Sequence, residues 1–264
     1  MASARVTLSR MTDLHIFAAT GAEAGALKRA FKTLSFGMPA KWAIDQSHED
    51  CMPSLHITGI GPQAARKCAL AVRDSLRSDE NPGTVIIIGV CGSLSPKIPE
   101  EEIVLYRSCL GAGQKQVLHC SEALIHCLSQ RLVSCGVTHA LVRGLTSGRI
   151  ATTQSEKLQL AERGAEVVDM ESYPILETMI PAGVSCAILR VVSDSRDREF
   201  PDFNPALRAD GKVDKLAAAG IACRSPLKTI RWAWSGQKAI RKLQLALRVA
   251  LDPSCFFEKR GQWT

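Results

Sequence analysis

From Thr84 to Val90 the chain reads Thr-Val-Ile-Ile-Ile-Gly-Val, and from Val184 to Val192 it is again largely apolar. A continuous apolar run, as opposed to an alternating one, marks a strand covered on both faces, which requires helices on each side of a sheet. The remaining pattern supplies them. Strands are predicted at Leu14–Ala19, Leu55–Thr58, Glu102–Tyr106, Gln116–His119, Ala140–Leu145 and Val167-Val168, and helices at Glu23–Leu34, Pro62–Leu76, Ser121–Val133, Gln154–Arg163 and Ser172–Met179. This alternation predicts the α/β class: a single three-layer αβα domain with a central mixed, mostly parallel twisted sheet. The domain is expected to span 11–224. Asp197–Asp214, with Pro201, Pro205 and Gly211, reads as a loop, and Pro226 opens a long helical pattern that Pro253 ends.

Charge separates this last helix from the rest. The chain carries +7, and 225–264 holds eight basic residues against Asp252 and Glu258, a net +6, leaving a body near neutrality. A neutral body with a basic tail, lacking a helix-turn-helix or an aromatic RNA-binding stripe, argues against nucleic acid as partner. Ten cysteines show neither a C-x-x-C pair nor a Cys/His cadence, so reduced thiols are expected, with no disulfide and no metal. Met1–Arg10 has no apolar leader segment, and a cytoplasmic protein is expected.

In an open α/β sheet the ligand lies beyond the carboxyl ends of the strands. Four sequences follow such ends. Gly89-Val90-Cys91-Gly92 closes the first buried run; two glycines let a backbone turn and approach a ligand, although spacing alone slightly favours a plain tight turn, and Gly59-Ile60-Gly61 is a similar, weaker signal. Val168-Asp169-Met170-Glu171-Ser172 brackets a methionine with carboxylates. A carboxylate can accept from both hydroxyls of a ribose and a methionine can lie on its face; a helix start is the plainer alternative. Ser193-Asp194 ends the second buried run, where an aspartic acid could protonate a departing base or simply cap a helix. Glu23 could activate a water or belong to a first helical turn. His15 and His56 fall in strand patterns and read as structural.

In that order these segments, with Ser147-Gly148 and Arg190-Val191-Val192-Ser193-Asp194, resemble the purine nucleoside phosphorylase and methylthioadenosine/adenosylhomocysteine nucleosidase superfamily, from about Leu14 to Asp197. A closer resemblance, extending into Arg208–Asp214 and the basic helix, is to the hopanoid-associated phosphorylase/nucleosidase branch, which removes adenine from adenosylhopane. The resemblance implies a nucleoside phosphorylase-like fold and glycosidic cleavage. Asp194 would be the general acid at purine N7, oriented by Ser193, and Glu23 would activate water. Met170 and Glu171 would hold the ribose, and Ser147, Ile150 and Thr152 would lie near the base. Gly59, Gly61, Gly89, Val90, Cys91 and Gly92 would form the loops around nucleophile and ligand. It implies a homo-oligomer and no cofactor, with phosphate as an optional co-substrate. Ile87 and Val90 stand where phosphorylases of this kind carry an arginine and a serine for phosphate, which favours hydrolysis. Arg66, Arg149, Arg190 or Arg196 could supply such contacts instead. A small substrate such as methylthioadenosine is the alternative to a lipid-linked adenine nucleoside.

In the tail, Leu227, Ile230, Trp234, Ile240, Leu243, Leu247 and Leu251 recur at helical steps with Lys238, Arg241, Lys242 and Arg248 between them. Two readings stay open: a helix packed on the body, or one that rests on the anionic inner face of the membrane with Trp232 and Trp234 at the interface.

Overall fold

The computed structural model describes residues 14–35, 53–76 and 83–251. Met1–Arg10, and Asp252, Glu258, Lys259 and Arg260 of the tail, lie outside them. The order is β1 (Leu14–Ala18), α1 (Gly21–Ser35), β2 (Ser54–Ile57), α2 (Pro62–Ser75), β3 (Thr84–Ser93), β4 (Ile103–Gly111), β5 (Val117–His119), α3 (Glu122–Ser134), β6 (Ala140–Thr146), α4 (Gln154–Ala161), β7 (Val167–Asp169), α5 (Ser172–Met179), β8 (Ser185–Asp194), α6 (Lys215–Arg224) and α7 (Pro226–Ala250).

The fold is α/β, with one mixed sheet flanked by helices, as the two buried runs require. β3 pairs in parallel with β1 over Thr84–Ile88 and with β8 over Thr84–Gly92, and β1 carries β2 on its other edge. The sheet also turns back on itself. β3 pairs antiparallel with β7, β7 with β6, β6 with β4, and β4 antiparallel with β8, which returns to β3. These five strands form a ring. It encloses Tyr106, whose ring lies directly against the backbone of Gly144, where a Cβ would overlap it. Only glycine leaves room for the ring there.

One expectation fails on local geometry. The Gly89–Gly92 stretch is not a tight turn: β3 continues extended to Ser93, with a bulge between Cys91 and Gly92. The bulge shifts register so that Gly92 faces Asp194 instead of Ser193. α6 has no counterpart in the sequence pattern. It lacks an apolar stripe, buries no residue, and starts at Asp214, whose carboxylate accepts from the amides of Leu216 and Ala217.

α7 divides lengthwise. Its second half places Ala239, Leu243, Ala246, Leu247 and Ala250 in the same core as the sheet, mainly against α1 and β8. Its first half leaves Leu227, Ile230 and Trp234 exposed, while Trp232, expected beside Trp234, instead stacks on Phe200 and Phe203 at centroid distances of 5.6 and 4.8 Å. No helix among the described residues is long and apolar enough to cross a membrane. His15 and His56 meet between β1 and β2 at 3.0 Å, and burial, with His15 alongside, pushes His56 down to about 4.

Candidate active site

The sheet brings three strand ends together at Gly92. A Cβ on this residue would stand 3.0 Å from Oδ2 of Asp194 on β8 and 3.3 Å from Val168 on β7. Asp194 ends β8, and Glu171 lies three residues beyond Val168, just past the end of β7.

Asp194 does not cap a helix. It is buried, and both oxygens are taken: Ser193 Oγ donates to Oδ1 at 2.6 Å, and Lys157 Nζ lies 2.5 Å from Oδ2. Lys157 is fully buried on α4, donates also to the carbonyls of Ser195 and Arg198, and sits 5.4 Å from the Phe200 ring centre. A buried ammonium is tolerable only with its donors satisfied and a counter-charge beside it. Ser193 Oγ is also within 3.1 Å of the Cys91 carbonyl, and Ser235 of α7 donates to the Ser193 carbonyl. Cys91 therefore contributes backbone; burial raises its thiol far above the ordinary range, which leaves it inert.

The Asp169–Glu171 pair splits into two roles. Asp169 Oδ1 accepts from Thr146 Oγ1 at 2.7 Å and from the amides of Glu171 and Ser172 at 3.1 Å, so Asp169 caps α5. Glu171 makes no capping bond. Its Oε1 accepts from the Gly61 amide at 3.0 Å, and its Oε2 lies 3.4 Å from Nη2 of Arg190. Gly61 holds a left-handed φ of 98°, which aims its N–H at this carboxylate, and the Met170 methyl lies nearby. Burial pushes Glu171 up to about 7 despite Arg190, with Asp169 and Glu23 adding to the rise.

Glu23 sits in the first turn of α1 and also reaches across to the sheet. With Thr20 it forms a reciprocal cap at the start of α1: Thr20 N–H donates to Oε2 at 2.8 Å and Glu23 N–H to Thr20 Oγ1 at 3.3 Å. Its other oxygen crosses to β3 and accepts from Val90 N–H at 2.9 Å, while Arg190 Nη1 donates to the Val90 carbonyl at 2.8 Å. Glu23 and Arg190 thus hold the two backbone groups of one residue of β3. A Cβ at Gly89 would fall on the Glu23 carboxylate and 2.9 Å from Arg190, so glycine is required for this approach.

The turn after β6 joins the two groups of side chains. Ser147 N–H donates to the Asp169 carbonyl at 2.8 Å, and Ser147 Oγ accepts from Arg149. Ile150 is bonded through its backbone to Asn204. The Thr152 hydroxyl, expected near a base, is instead bonded to Glu156 and belongs to the start of α4. Each arginine that could have offered phosphate a cation faces a carboxylate: Arg66 meets Glu177, Arg149 meets Glu156 and Asp202, Arg190 meets Asp169 and Glu171, and Arg196 meets Asp197. Ile87 is core, and Val90 is a neighbour of Glu23.

Sequence reasoning missed Lys157, which sits in an ordinary helical pattern, together with Asn204 and the Phe200–Phe203–Trp232 stack. Arg190 was legible only as a member of its motif.

A family model described as the phosphorylase superfamily matches residues 13–219. No curated protein matches the sequence. Among solved structures the fold is similar to native futalosine hydrolase of Helicobacter pylori strain 26695, with a TM-score of 0.66 and 13% identity over 91% of this chain and 97% of that one. It is similar also to the 5'-methylthioadenosine/S-adenosylhomocysteine nucleosidase of Helicobacter pylori (TM-score 0.67, 12% identity, 93% and 100% covered). For that nucleosidase from Neisseria meningitidis, bound to methylthio-immucillin-A, the TM-score is 0.64 at 14% identity, with 91% and 98% covered. Identities this low establish the shared fold.

Proposed function

From a chain that belongs to the phosphorylase superfamily, we infer an enzyme that cleaves the N-glycosidic bond of a purine nucleoside, with water as the nucleophile. The observation that carries this reading is that Asp194 and Glu23 meet β3 at Gly92 and Val90, while Glu171 is joined to the same strand through Arg190, which bonds both Glu171 and the Val90 carbonyl. Glu171 accepts from the ribose hydroxyls, and Met170 lies against the sugar. As the bond to C1' loosens, the sugar becomes oxocarbenium-like and negative charge moves onto the base. Asp194, paired at rest with the Lys157 ammonium, takes up a proton from solvent and gives it to N7, so the base leaves neutral. The carboxylate that remains is stabilised by Lys157 and Ser193. Glu23 takes a proton from the water that attacks C1', and the sugar leaves with a hydroxyl there. No metal or organic cofactor is needed for these steps.

Water is favoured over phosphate because Glu23 would repel an anion beside Val90, and each candidate arginine is already opposed by a carboxylate. The test is adenine release measured with and without phosphate. Equal rates are expected, and Asp194→Asn should lower the rate by about two to four powers of ten. A phosphate requirement overturns hydrolysis, and an unchanged rate in Asp194→Asn overturns the acid.

The finer reading is a lipid-linked adenine nucleoside, adenosylhopane, taken up at a membrane surface. It is supported by the exposed Leu216 of α6 and Leu227, Ile230 and Trp234 of α7, in a stretch that also exposes Lys228 and Arg231. Rapid turnover of free methylthioadenosine would rule out strict lipid specificity and favour a small substrate.

A further inference from the structure

Glu100 stands in the turn between β3 and β4, yet it grips the chain on both sides of Asp194. Its Oε1 accepts from the Ser195 N–H at 3.1 Å and pairs with Nε of Arg198 at 3.0 Å. Its Oε2 lies 3.2 Å from Ser235 Oγ of α7, the hydroxyl that donates to the Ser193 carbonyl. One carboxylate thus meets the residue after Asp194 directly and the residue before it through a hydroxyl.

The residues that Glu100 holds are also those that enclose Lys157. Nζ donates to the Ser195 carbonyl at 2.7 Å and to the Arg198 carbonyl at 3.1 Å, besides facing Asp194 Oδ2. An ammonium has three hydrogens, and these three acceptors use them all. Ser195 and Arg198 each give one group to Glu100 and their carbonyl to Lys157. Because Lys157 is fully buried, a lost acceptor cannot be replaced by bulk water. The backbone beside Glu100 is fixed as well. Glu101 holds a left-handed φ of 65°, the one non-glycine residue to do so among those described. Such a conformation persists where the surroundings over-determine it. Here Glu101 N–H donates to the Val192 carbonyl and Val192 N–H to the Glu102 carbonyl, both at 2.9 Å, which locks the turn onto the end of β8.

We propose that Glu100 is a positioning residue for the proton transfer: by fixing Ser195 and Arg198 it sets where the Lys157 ammonium stands, and the ammonium in turn sets the direction of Asp194 Oδ2. This rests on the reading of Asp194 as the acid. Glu100 acts through Lys157 and needs no contact with base or sugar. The same carboxylate ties Ser235, and with it the middle of α7, to the end of the acid's strand.

Steady-state adenine release by the full chain tests this, from adenosylhopane or methylthioadenosine, whichever the wild type cleaves. The variants are Glu100→Gln, Glu100→Ala and Glu100→Gln combined with Asp194→Asn. Glu100→Gln keeps the shape and an acceptor but loses the charge opposite Arg198, and it guards against a turn that fails to form in Glu100→Ala. In Glu100→Gln kcat should fall about tenfold, the worth of one hydrogen bond to a charged group. KM should stay within about twofold, because only the transition state is affected. On an Asp194→Asn background the same change should cost nothing further, since the carboxyl it acts through is already gone. Full activity in Glu100→Gln, a KM that rises as kcat falls, or losses that multiply with that of Asp194→Asn would make Glu100 a staple of its turn and overturn the proposal while leaving the acid standing. A wild type that releases adenine from neither substrate, or an Asp194→Asn variant as fast as the wild type, removes the acid and the proposal with it.

Discussion

At Glu171, burial and neighbouring charge oppose each other, and burial wins: its carboxyl sits near 7 although Arg190 is 3.4 Å away. A group raised above its unfolded value of 4.5 favours the folded state below that pH and loses this contribution as pH rises through about 7. The form that can accept two ribose hydroxyls is the ionised one, so kcat/KM should climb with pH and level off above about 7. Glu171→Gln should remove this limb along with most of the activity; a wild-type profile flat from pH 5 to 8 would count against the ribose role. At Lys157 the issue is an uncompensated charge. Lys157→Met leaves Asp194 buried without its cation and should cost about 3–5 kcal/mol in urea unfolding, as breaking one side of a buried pair does. Adding Asp194→Leu should restore much of that stability. Additive losses would mean the pair is not coupled.

At the scale of elements, α7 behaves as two helices in one. Leu243 is fully buried in the core and Leu227 is 77% exposed; sixteen positions apart, they lie on nearly opposite faces of the helix. Leu243→Ala is therefore expected to cost about 2–5 kcal/mol, and Leu227→Ala to stay within about 0.5 kcal/mol, measured as shifts in urea midpoint. Equal effects would contradict the division. β3 shows a related point: its glycines serve close approach inside a continuing strand. The bulge at Cys91 and Gly92 re-aims the pairing so that the acid, and not Ser193, faces the end of β3.

For the whole molecule, the division of α7 decides how membrane contact can be tested. Removing 226–264 would strip Ala239, Leu243 and Leu247 from the core and report only unfolding. Leu227→Glu/Ile230→Glu/Trp234→Glu instead alters the exposed half alone. The wild type should co-sediment with anionic vesicles at low salt and the triple variant should remain in the supernatant; equal sedimentation would sink the membrane reading. The ring of five strands sets the geometry in which this question arises. It draws the ends of β3, β7 and β8 together at Gly92.

The sequence by itself determined most of the elements, α6 excepted, and singled out the candidate carboxylates. Continuous apolar runs fix which strands are buried, and Glu23, Glu171 and Asp194 each follow a strand end, a local signal. Which carboxylate caps α5 and which stays free was not legible in Asp169-Met170-Glu171, because that depends on Thr146, Gly61 and Arg190 arriving from other strands. Lys157 gave no signal either, since a helical period records which face a residue occupies and not what that face meets. Its pairing with Asp194, the ionisation of Glu171 and the two fates of α7 were decided by tertiary contact, because burial and charge act through space while sequence patterns record only neighbours along the chain.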